Sequence, residues 1–560
     1  MLIDASNLSV EAVINTEVCI VGAGPAGITL AREFANQNFQ VCLLESGGLE
    51  YNEANQSLCK GETIGDSYQA PYETRRRQFG GTSNCWSLKI GDGHIGVRHV
   101  PLDEIDFEKR DWLPYSGWPF SKAELNPFYD RAQVVCQAGP LAYDADDWET
   151  PQAPRFPFKS DRVVTTMFQF GLRDIFSQEY REQINEAANI TTYLNANVVE
   201  IETNETASRV TRLRIACLQG NQFWVAAKIV ILATGGIEAA RLLLLSNRFQ
   251  KTGLGNQHDL VGRFFMDHPL VHCGTFIPAS RKLFNQAGLY DLRRLNNVST
   301  LGKLTLNQDL LRREGLLNIA SLLFPRPKPY QTKAVSSLKT LLDELRNKKL
   351  PPNTLQHLLN VVGGLDYIMS AAYLAATKNQ SFYPGLGRGG WSELKRNDRR
   401  FFMFEVLQQT EQAPDPNNRV TLSRERDRLG LPQAQVHWRW GAMEKRSIKR
   451  VQEILQAEIA SSGLGQLQLE RDGELPKIWA PAGAHHHMGT TRMHVDPKQG
   501  VVNANCQVHG VSNLFIASSS VFPTGGYANP TLTIVALALR LADHVKQVMA
   551  TELVAMRCQD

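Results

Sequence analysis

The stretch Glu17-Val-Cys-Ile-Val-Gly-Ala-Gly-Pro-Ala-Gly27 is followed by ITLAREFANQNF over 28–39 and by Gln40-Val-Cys-Leu-Leu-Glu45. An apolar run of strand length, a glycine turn, a segment with helical periodicity and a second apolar run predict a βαβ unit. Each glycine then has a task. Gly22 makes the tight turn, Gly24 with Ala26 lets the backbone approach a pyrophosphate, and Gly27 lets the helix pack on the strand. The unpaired N–H groups and partial positive charge of the helix N-terminus suit that pyrophosphate. Glu45 lies 18 residues after Gly27, at the end of the second strand. A carboxylate there accepts both hydroxyls of an adenosine ribose and repels a 2′-phosphate. The unit therefore reads as a dinucleotide site, and the physics alone does not separate FAD from NAD.

The rest of the chain bounds the function. Its 560 residues, 43% hydrophobic and 21% charged, fit a soluble protein of several domains and exclude a collagen-like, coiled-coil or disordered whole. Lys and Arg number 60 against 56 Asp and Glu, and an excess of +4 over so large a surface is a poor footprint for nucleic acid. No run reaches the length of a membrane helix, and residues 1–18 lack the basic and apolar regions of a signal, so a cytoplasmic protein without a membrane span is expected. Nine scattered cysteines with no CxxC spacing read as reduced, buried thiols rather than disulfides or a zinc site.

The stretch VGAGPAGITLAREFANQNFQVCLLESGG resembles the FAD-binding opening of the glucose–methanol–choline (GMC) oxidoreductases. Further motifs follow in that family's order. Arg77-Gln-Phe-Gly80-Gly81-Thr82-Ser83-Asn84-Cys85-Trp86 is similar to the loop laid along the flavin ring. Lys228-IVILATGGIEAARLLLLSN is a strand, turn and helix similar to a second signature. Leu260-VGRFFMDHP, Glu411-QAPDPNNRVTLSRERDRLGLP and Asn513-LFIASSSVFPTGGYANPTLTIVALALRLADHV come next. The closing Tyr527-Ala-Asn529-Pro-Thr-Leu-Thr is most similar to the branch of pyranose oxidase and the fructose and gluconate dehydrogenases.

The resemblance implies an α/β chain, α+β overall, in which a Rossmann-like FAD-binding domain (1–90, 190–275 and 484–560) joins an antiparallel-sheet substrate domain (91–189 and 276–483). It implies FAD contacts from Gly22, Gly24, Ala26, Gly27, Glu45, Gly80, Gly81, Thr82, Ser83, Cys85, Val199, Ala233, Thr234, Ser518, Asn529, Pro530 and Thr531. Members that attach FAD covalently carry a histidine just before the Trp of the flavin loop. Here that position is Cys85, so a histidyl–FAD bond is excluded and FAD is expected to be noncovalent, a cysteinyl bond through the Cys85 thiolate being the chemical alternative. A second departure is Ala517, which stands where many members place an acid, so a carboxylate contact is not expected there.

Removing hydride from an alcohol carbon requires the hydroxyl proton to leave as well, and a neutral histidine suits that task. The family places its base two residues before a glycine doublet such as Gly489-Thr490, which selects His486 within Ala484-His485-His486-His487-Met488. Asn529 matches the residue that holds the substrate oxygen while hydride passes to flavin N5. Adjacent residues of an extended segment point to alternate sides, so the triplet is not a metal site. His485 and His487 read as structural, although His487 with Gln409 and Gln412 are polar candidates for substrate, and Asn418 belongs to the same group. The implied substrate is a sugar, glycoside or other alcohol, and the implied acceptor is O2, a quinone or a separate redox subunit. The family also contains a non-redox class, the hydroxynitrile lyases, and a non-catalytic FAD-binding protein is the remaining alternative.

Two local signals complete the reading. Ser121 with Glu124 predicts a capped helix after Trp118. Between 325 and 349, seven basic residues (Arg326, Lys328, Lys333, Lys339, Arg346, Lys348, Lys349) face only Asp343 and Glu344, at the start of a basic helical insertion over 325–400. It precedes an expected apolar helix at Leu365–Ala376 and the glycine-rich Pro384–Gly390. A solvated face is the ordinary meaning of such a run, with a lid or a docking patch for an anionic partner or membrane as the others.

Overall fold

The computed structural model describes all residues except 86–87, 91–93, 379–382, 471–483 and 558–560. Trp86 of the flavin-loop motif and Cys558 lie outside the described residues. The other eight cysteines are unpaired thiols, all buried except Cys85.

The predicted βαβ unit forms. Strand Val13–Val21 runs into helix Pro25–Phe34 and then strand Val41–Leu44, and the two strands pair in parallel. The sheet extends in parallel through Ile190–Leu194 to Leu2–Asp4 on one side. On the other side Val13–Val21 pairs in parallel with the long strand Gln222–Leu232. That strand carries an antiparallel meander, Val210–Ala216 and Asn197–Thr203, on its first half. Its last residues pair in parallel with Leu514–Ile516, so the C-terminal part of the chain returns to the same sheet.

A second sheet, of nine strands, is antiparallel throughout its described pairings. Its central strands include Val163–Leu172, Val298–Leu306, Ile319–Arg326 and Met403–Thr410. This is the expected antiparallel platform. Its edges differ from the expected domain limits: Leu88–Ile90 belongs to this sheet, and strand Leu270–Pro278 runs straight through the limit placed at 275. Apolar periodicity locates strands but not which sheet they join. A small third sheet joins Gly61–Gly65 to Pro432–Trp438 and Arg419–Arg426.

The helix after Trp118 spans Lys122–Val135, with Ser121 and Glu124 making the reciprocal capping box. The 325–349 charge cluster divides. Arg326 is buried against Glu405 at 2.6 Å and donates to the Pro384 carbonyl at 2.6 Å, whereas Arg346, Lys348 and Lys349 are exposed. Three helices follow the buried arginine, Pro329–Arg346, Thr354–Gly363 and Leu365–Lys378.

Candidate active site

A cavity of about 500 Å³ opens where the ends of the parallel strands meet the antiparallel sheet. Its floor is the glycine turn. Gly22 has φ +104°, a conformation that disfavours a side chain, and a Cβ on Gly27 would overlap the Gly22 carbonyl, so both are needed for the close helix–strand packing. A Cβ on Gly24 would meet no protein atom within 4 Å and would project into free space beside the helix N-terminus. Helix Pro25–Phe34 has no side-chain cap and no acid in its first turn, so its N–H groups are open to an anion.

Glu45 lies in the wall, its two oxygens accepting from Ala23 N and Gly47 N at 2.8 Å each. Burial raises its pKa, opposed by those two N–H groups and by Arg77. Arg75, Arg76 and Arg77 also line the cavity. Arg75 and Arg77 are held by Glu238 at 2.6 and 2.8 Å. Burial disfavours the Glu238 anion, but Arg77, Arg241 and Arg75 outweigh it and depress its pKa. The Thr234 hydroxyl is buried in the same wall without a hydrogen-bond partner. An anion-binding turn, a ribose-type carboxylate and an unsatisfied hydroxyl around one elongated space fit FAD.

Most of the expected cofactor residues line this cavity: Gly22, Gly24, Ala26, Glu45, Gly81, Thr82, Ser83, Cys85, Ala233, Thr234, Ser518, Asn529, Pro530 and Thr531. Gly27 and Gly80 lie outside it. Gly27 packs the helix, and Gly80, at φ +93°, donates its N–H to the Ala23 carbonyl at 2.8 Å. Val199 is also misplaced, because Val198 and Ala196 face the cavity; side chains alternate along a strand, so an error of one residue changes the face.

Opposite the glycine turn, the histidine triplet is strapped to Phe265–His268. Met488 and Met266 exchange N–H···O bonds of 3.0 and 3.1 Å, and Ala484 N donates to the His268 carbonyl at 3.0 Å. Asp267 fixes the register, accepting from His486 N at 2.7 Å, His268 N at 2.6 Å and Tyr68 Oη at 2.6 Å. His485 turns the chain with φ +60°. The His486 ring is thereby placed between two partners, Nδ1 at 2.8 Å from His268 Nδ1 and Nε2 at 3.2 Å from Asn529 Nδ2.

The protons on this chain follow from its far end. Asn529 Oδ1 accepts from Arg98 Nε at 3.1 Å and from Gln409 Nε2 at 3.2 Å, which turns the amide NH2 toward His486. The hydrogen-bond network thus assigns a lone pair to His486 Nε2, a proton to His486 Nδ1 donated to His268, and the His268 proton to Nε2, which lies against the Gly525–Gly526 backbone. Burial first, then the neighbouring His268 and Arg98, hold His486 well below the ordinary histidine range, so the ring is neutral. Burial likewise lowers His268 to about 4 and His487 to about 3.

These depressed values carry a stability consequence. A histidine with folded pKa below its unfolded value near 6.5 binds more protons when unfolded, so stability is complete above pH 6.5 and falls as pH drops toward 4. Thermal melting temperature should fall between pH 7 and pH 5. A His268→Gln variant, lacking one such titration, should show a shallower fall.

The remaining candidates separate. Gln409 is not in the cavity wall; it accepts from Arg98 and donates to the Tyr527 carbonyl at 2.5 Å, bracing Asn529 from behind. Gln412 and Asn418 do not reach the cavity. Gln412 accepts from Asp267 N and Trp438 Nε1 at 2.9 and 3.0 Å, and Asn418 pairs with the Arg439 backbone. Both satisfy buried backbone and indole groups. His487 lines the cavity with Nε2 unpartnered and its ring on Phe265. Sequence reasoning missed three residues. Asp267 and His268 were visible only as part of a motif, and Arg98, buried with Nη1 unpartnered in the cavity wall, carried no signal in a strand of ordinary alternation.

Residues 414–538, a span containing both His486 and Asn529, match the family model described as GMC oxidoreductase. Over that span the chain is similar to the GMC oxidoreductases. Residues 16–259 also match the model described as pyridine nucleotide-disulphide oxidoreductase, which covers the glycine turn. Over 63% of its length the chain is 27% identical to the fructose dehydrogenase large subunit of Gluconobacter japonicus, a match that spans 53% of that protein, about half its length. It is 24% identical to the 2-methyl-1,2-propanediol dehydrogenase of Mycolicibacterium austroafricanum, over 95% of both chains. The fold is similar to pyridoxine 4-oxidase from Mesorbium loti, with a TM-score of 0.51 over 95% of this chain and 99% of that one at 15% identity. Both curated relatives are named as dehydrogenases, one of a sugar and one of a diol.

Proposed function

We propose that this chain is a GMC oxidoreductase that oxidises a hydroxyl of a sugar, glycoside or other alcohol to the carbonyl, with His486 as base and Asn529 as the group that holds the reacting oxygen. The observation that carries the assignment is the pair His486 Nε2 and Asn529 Nδ2, an acceptor and a donor 3.2 Å apart in the wall of the cofactor cavity. A hydroxyl entering between them donates its proton to Nε2 and accepts from the amide. FAD, when bound, supplies the hydride acceptor. Burial keeps His486 neutral and therefore able to take the proton, and the imidazolium that results still donates Nδ1–H to His268. His268 is thus a positioning residue that fixes the tautomer of the base. Arg98 orients Asn529 and brings positive charge to the side on which the substrate oxygen becomes an alkoxide.

The substrate classes named for the relatives, a sugar and a diol, support a polyhydroxylated or small alcohol substrate. No observation favours a lyase or a non-catalytic role. The test is turnover with an artificial electron acceptor and detection of a carbonyl product from sugars, glycosides, polyols and simple alcohols. Formation of hydrogen peroxide on admitting air marks an oxidase. Its absence, with the artificial acceptor still reduced, marks a dehydrogenase using a quinone or a separate redox subunit. Cyanohydrin cleavage without carbonyl production from any alcohol would refute the assignment.

FAD is proposed to be noncovalent. Cys85 replaces the attaching histidine, and its thiol accepts from Arg76 Nε at 3.2 Å. Acid precipitation should leave the yellow colour in the supernatant; a yellow pellet identifies a covalent bond. Glu45→Lys exchanges two acceptors for a donor at the ribose position and should yield colourless protein. The cytoplasmic location is proposed on the sequence reading; the described residues include no helix long and apolar enough to cross a membrane. His268→Phe should slow substrate oxidation by about tenfold or more, with His268→Asn, which retains an acceptor, recovering part of the loss.

A further inference from the structure

The helix Thr354–Gly363 is inside out. Two of its polar residues point inward, where His357 Nδ1 and Asn360 Nδ2 meet Ser337 Oγ of helix Pro329–Arg346 at 3.1 and 3.0 Å. Its apolar residues Leu355, Leu358, Leu359 and Val362, at i, i+3, i+4 and i+7, face water, and no residue of the helix is buried. The stripe continues on the next helix through Leu365, Met369 and Tyr373, at i, i+4 and i+8, and on the preceding segment through Leu342, Leu345 and Leu350. Exposure reaches 71% at Leu350 and Leu355 and 70% at Val362. Eleven of the twenty large apolar side chains exposed among the described residues fall between Tyr330 and Tyr373. Scattered exposed leucines need no explanation, but this concentration on one face does.

We infer that this face docks on an anionic phospholipid bilayer and lies within its interface. Charge selects the occupant. Arg346, Lys348 and Lys349 are exposed beside the apolar stripe, with Arg346 at 3.6 Å from Asp343; between 328 and 373 six basic residues stand against the three acids Asp343, Glu344 and Asp366, and helix Thr354–Gly363 contains no acid. A helix with apolar residues on one face, flanked by basic residues and too short to span, is the interfacial type. A second copy of this face would bring a second cluster of like charge, whereas lipid phosphates and serine carboxylates neutralise it. The first helix leaves the antiparallel sheet directly after Arg326, which holds the Pro384 carbonyl. The insertion that carries this face thus contributes Leu386 to the wall of the cofactor cavity.

The inference is tested by sedimenting FAD-loaded protein with vesicles of phosphatidylcholine alone and of phosphatidylcholine containing phosphatidylserine. The protein should pellet with the anionic vesicles and far less with the neutral ones. Lys348→Gln/Lys349→Gln should weaken this binding by about thirtyfold. Leu355→Gln/Leu358→Gln/Met369→Gln should release the protein even at low salt while its flavin absorbance and melting temperature stay the same, since all three side chains already face water. Failure of the wild type to pellet with anionic vesicles overturns the inference, as does binding indifferent to both sets of substitutions. Sedimentation velocity provides a separate outcome: a wild-type dimer that the glutamine variant converts to monomer, without vesicle binding, assigns the face to a second copy and overturns the membrane proposal.

Discussion

Replacing His486 by alanine lowers the rate of anaerobic flavin bleaching by about 10²–10⁴-fold, while the absorbance of bound flavin is unchanged. The magnitude is that of a positioned base. Loss of the ring leaves the Nε2 position beside Asn529 without an acceptor, and a hydroxyl in contact with the amide can then lose its proton only to water. His485→Ala and His487→Ala should cost far less, because neither ring nitrogen meets Asn529 and the Asp267 bond to His486 N sets the register of the segment. The three variants are compared by stopped-flow bleaching at pH 7, where the depressed pKa of His486 keeps the wild-type base neutral. If His487→Ala is slow and His486→Ala is fast, the base is one residue further along. If neither is slow, the base lies outside this segment.

Asn529→Asp should slow bleaching by about 10²–10³-fold, although the side chain barely changes size. The amide is oriented by Arg98 and Gln409, both donating to Oδ1, so its NH2 is the part that meets His486 and the substrate oxygen. Aspartate keeps the bond to Arg98 and replaces the donor by an acceptor, which repels the forming alkoxide. The carboxylate also raises the pKa of His486, since an opposite charge favours the imidazolium. The variant should therefore lose activity toward lower pH in a range where the wild type is flat. A double variant with Arg98→Met separates the effects, because removing the counter-charge should deepen the loss.

Much of this site is legible in the chain because its chemistry is local. A glycine turn, its helix and Glu45 occur within 30 residues and follow the periods of strand and helix, so the cofactor cradle is readable without any tertiary information. His486 and Asn529 come from spacing relative to Gly489-Thr490 and to Pro530, which the resemblance provides and periodicity does not. The parts that were not legible are long-range. Asp267, His268 and Arg98 are brought to His486 and Asn529 across more than 200 residues; the first two stand in a quoted motif, but nothing in the neighbourhood of any of the three says that it reaches the histidine triplet or Asn529. Gln412 and Asn418 show the opposite error: polar residues suited to a polyhydroxylated ligand that prove to cap buried backbone and indole groups. Of the insertion's helices only the apolar one, found at Leu365–Lys378, was expected from the sequence; Thr354–Gly363 was not, and the face it turns outward depends on Ser337 of a neighbouring helix.

The central claim is that this cavity oxidises a hydroxyl through the His486–Asn529 pair. It is tested most directly by mixing FAD-loaded wild type and His486→Ala with a panel of sugars, glycosides, polyols and alcohols in the absence of oxygen and following the flavin absorbance. The account predicts that at least one of these classes bleaches the wild type rapidly and the variant about 10²–10⁴-fold more slowly. Wild-type flavin that stays yellow with every hydroxyl compound, or a variant that bleaches as fast as wild type, would contradict it.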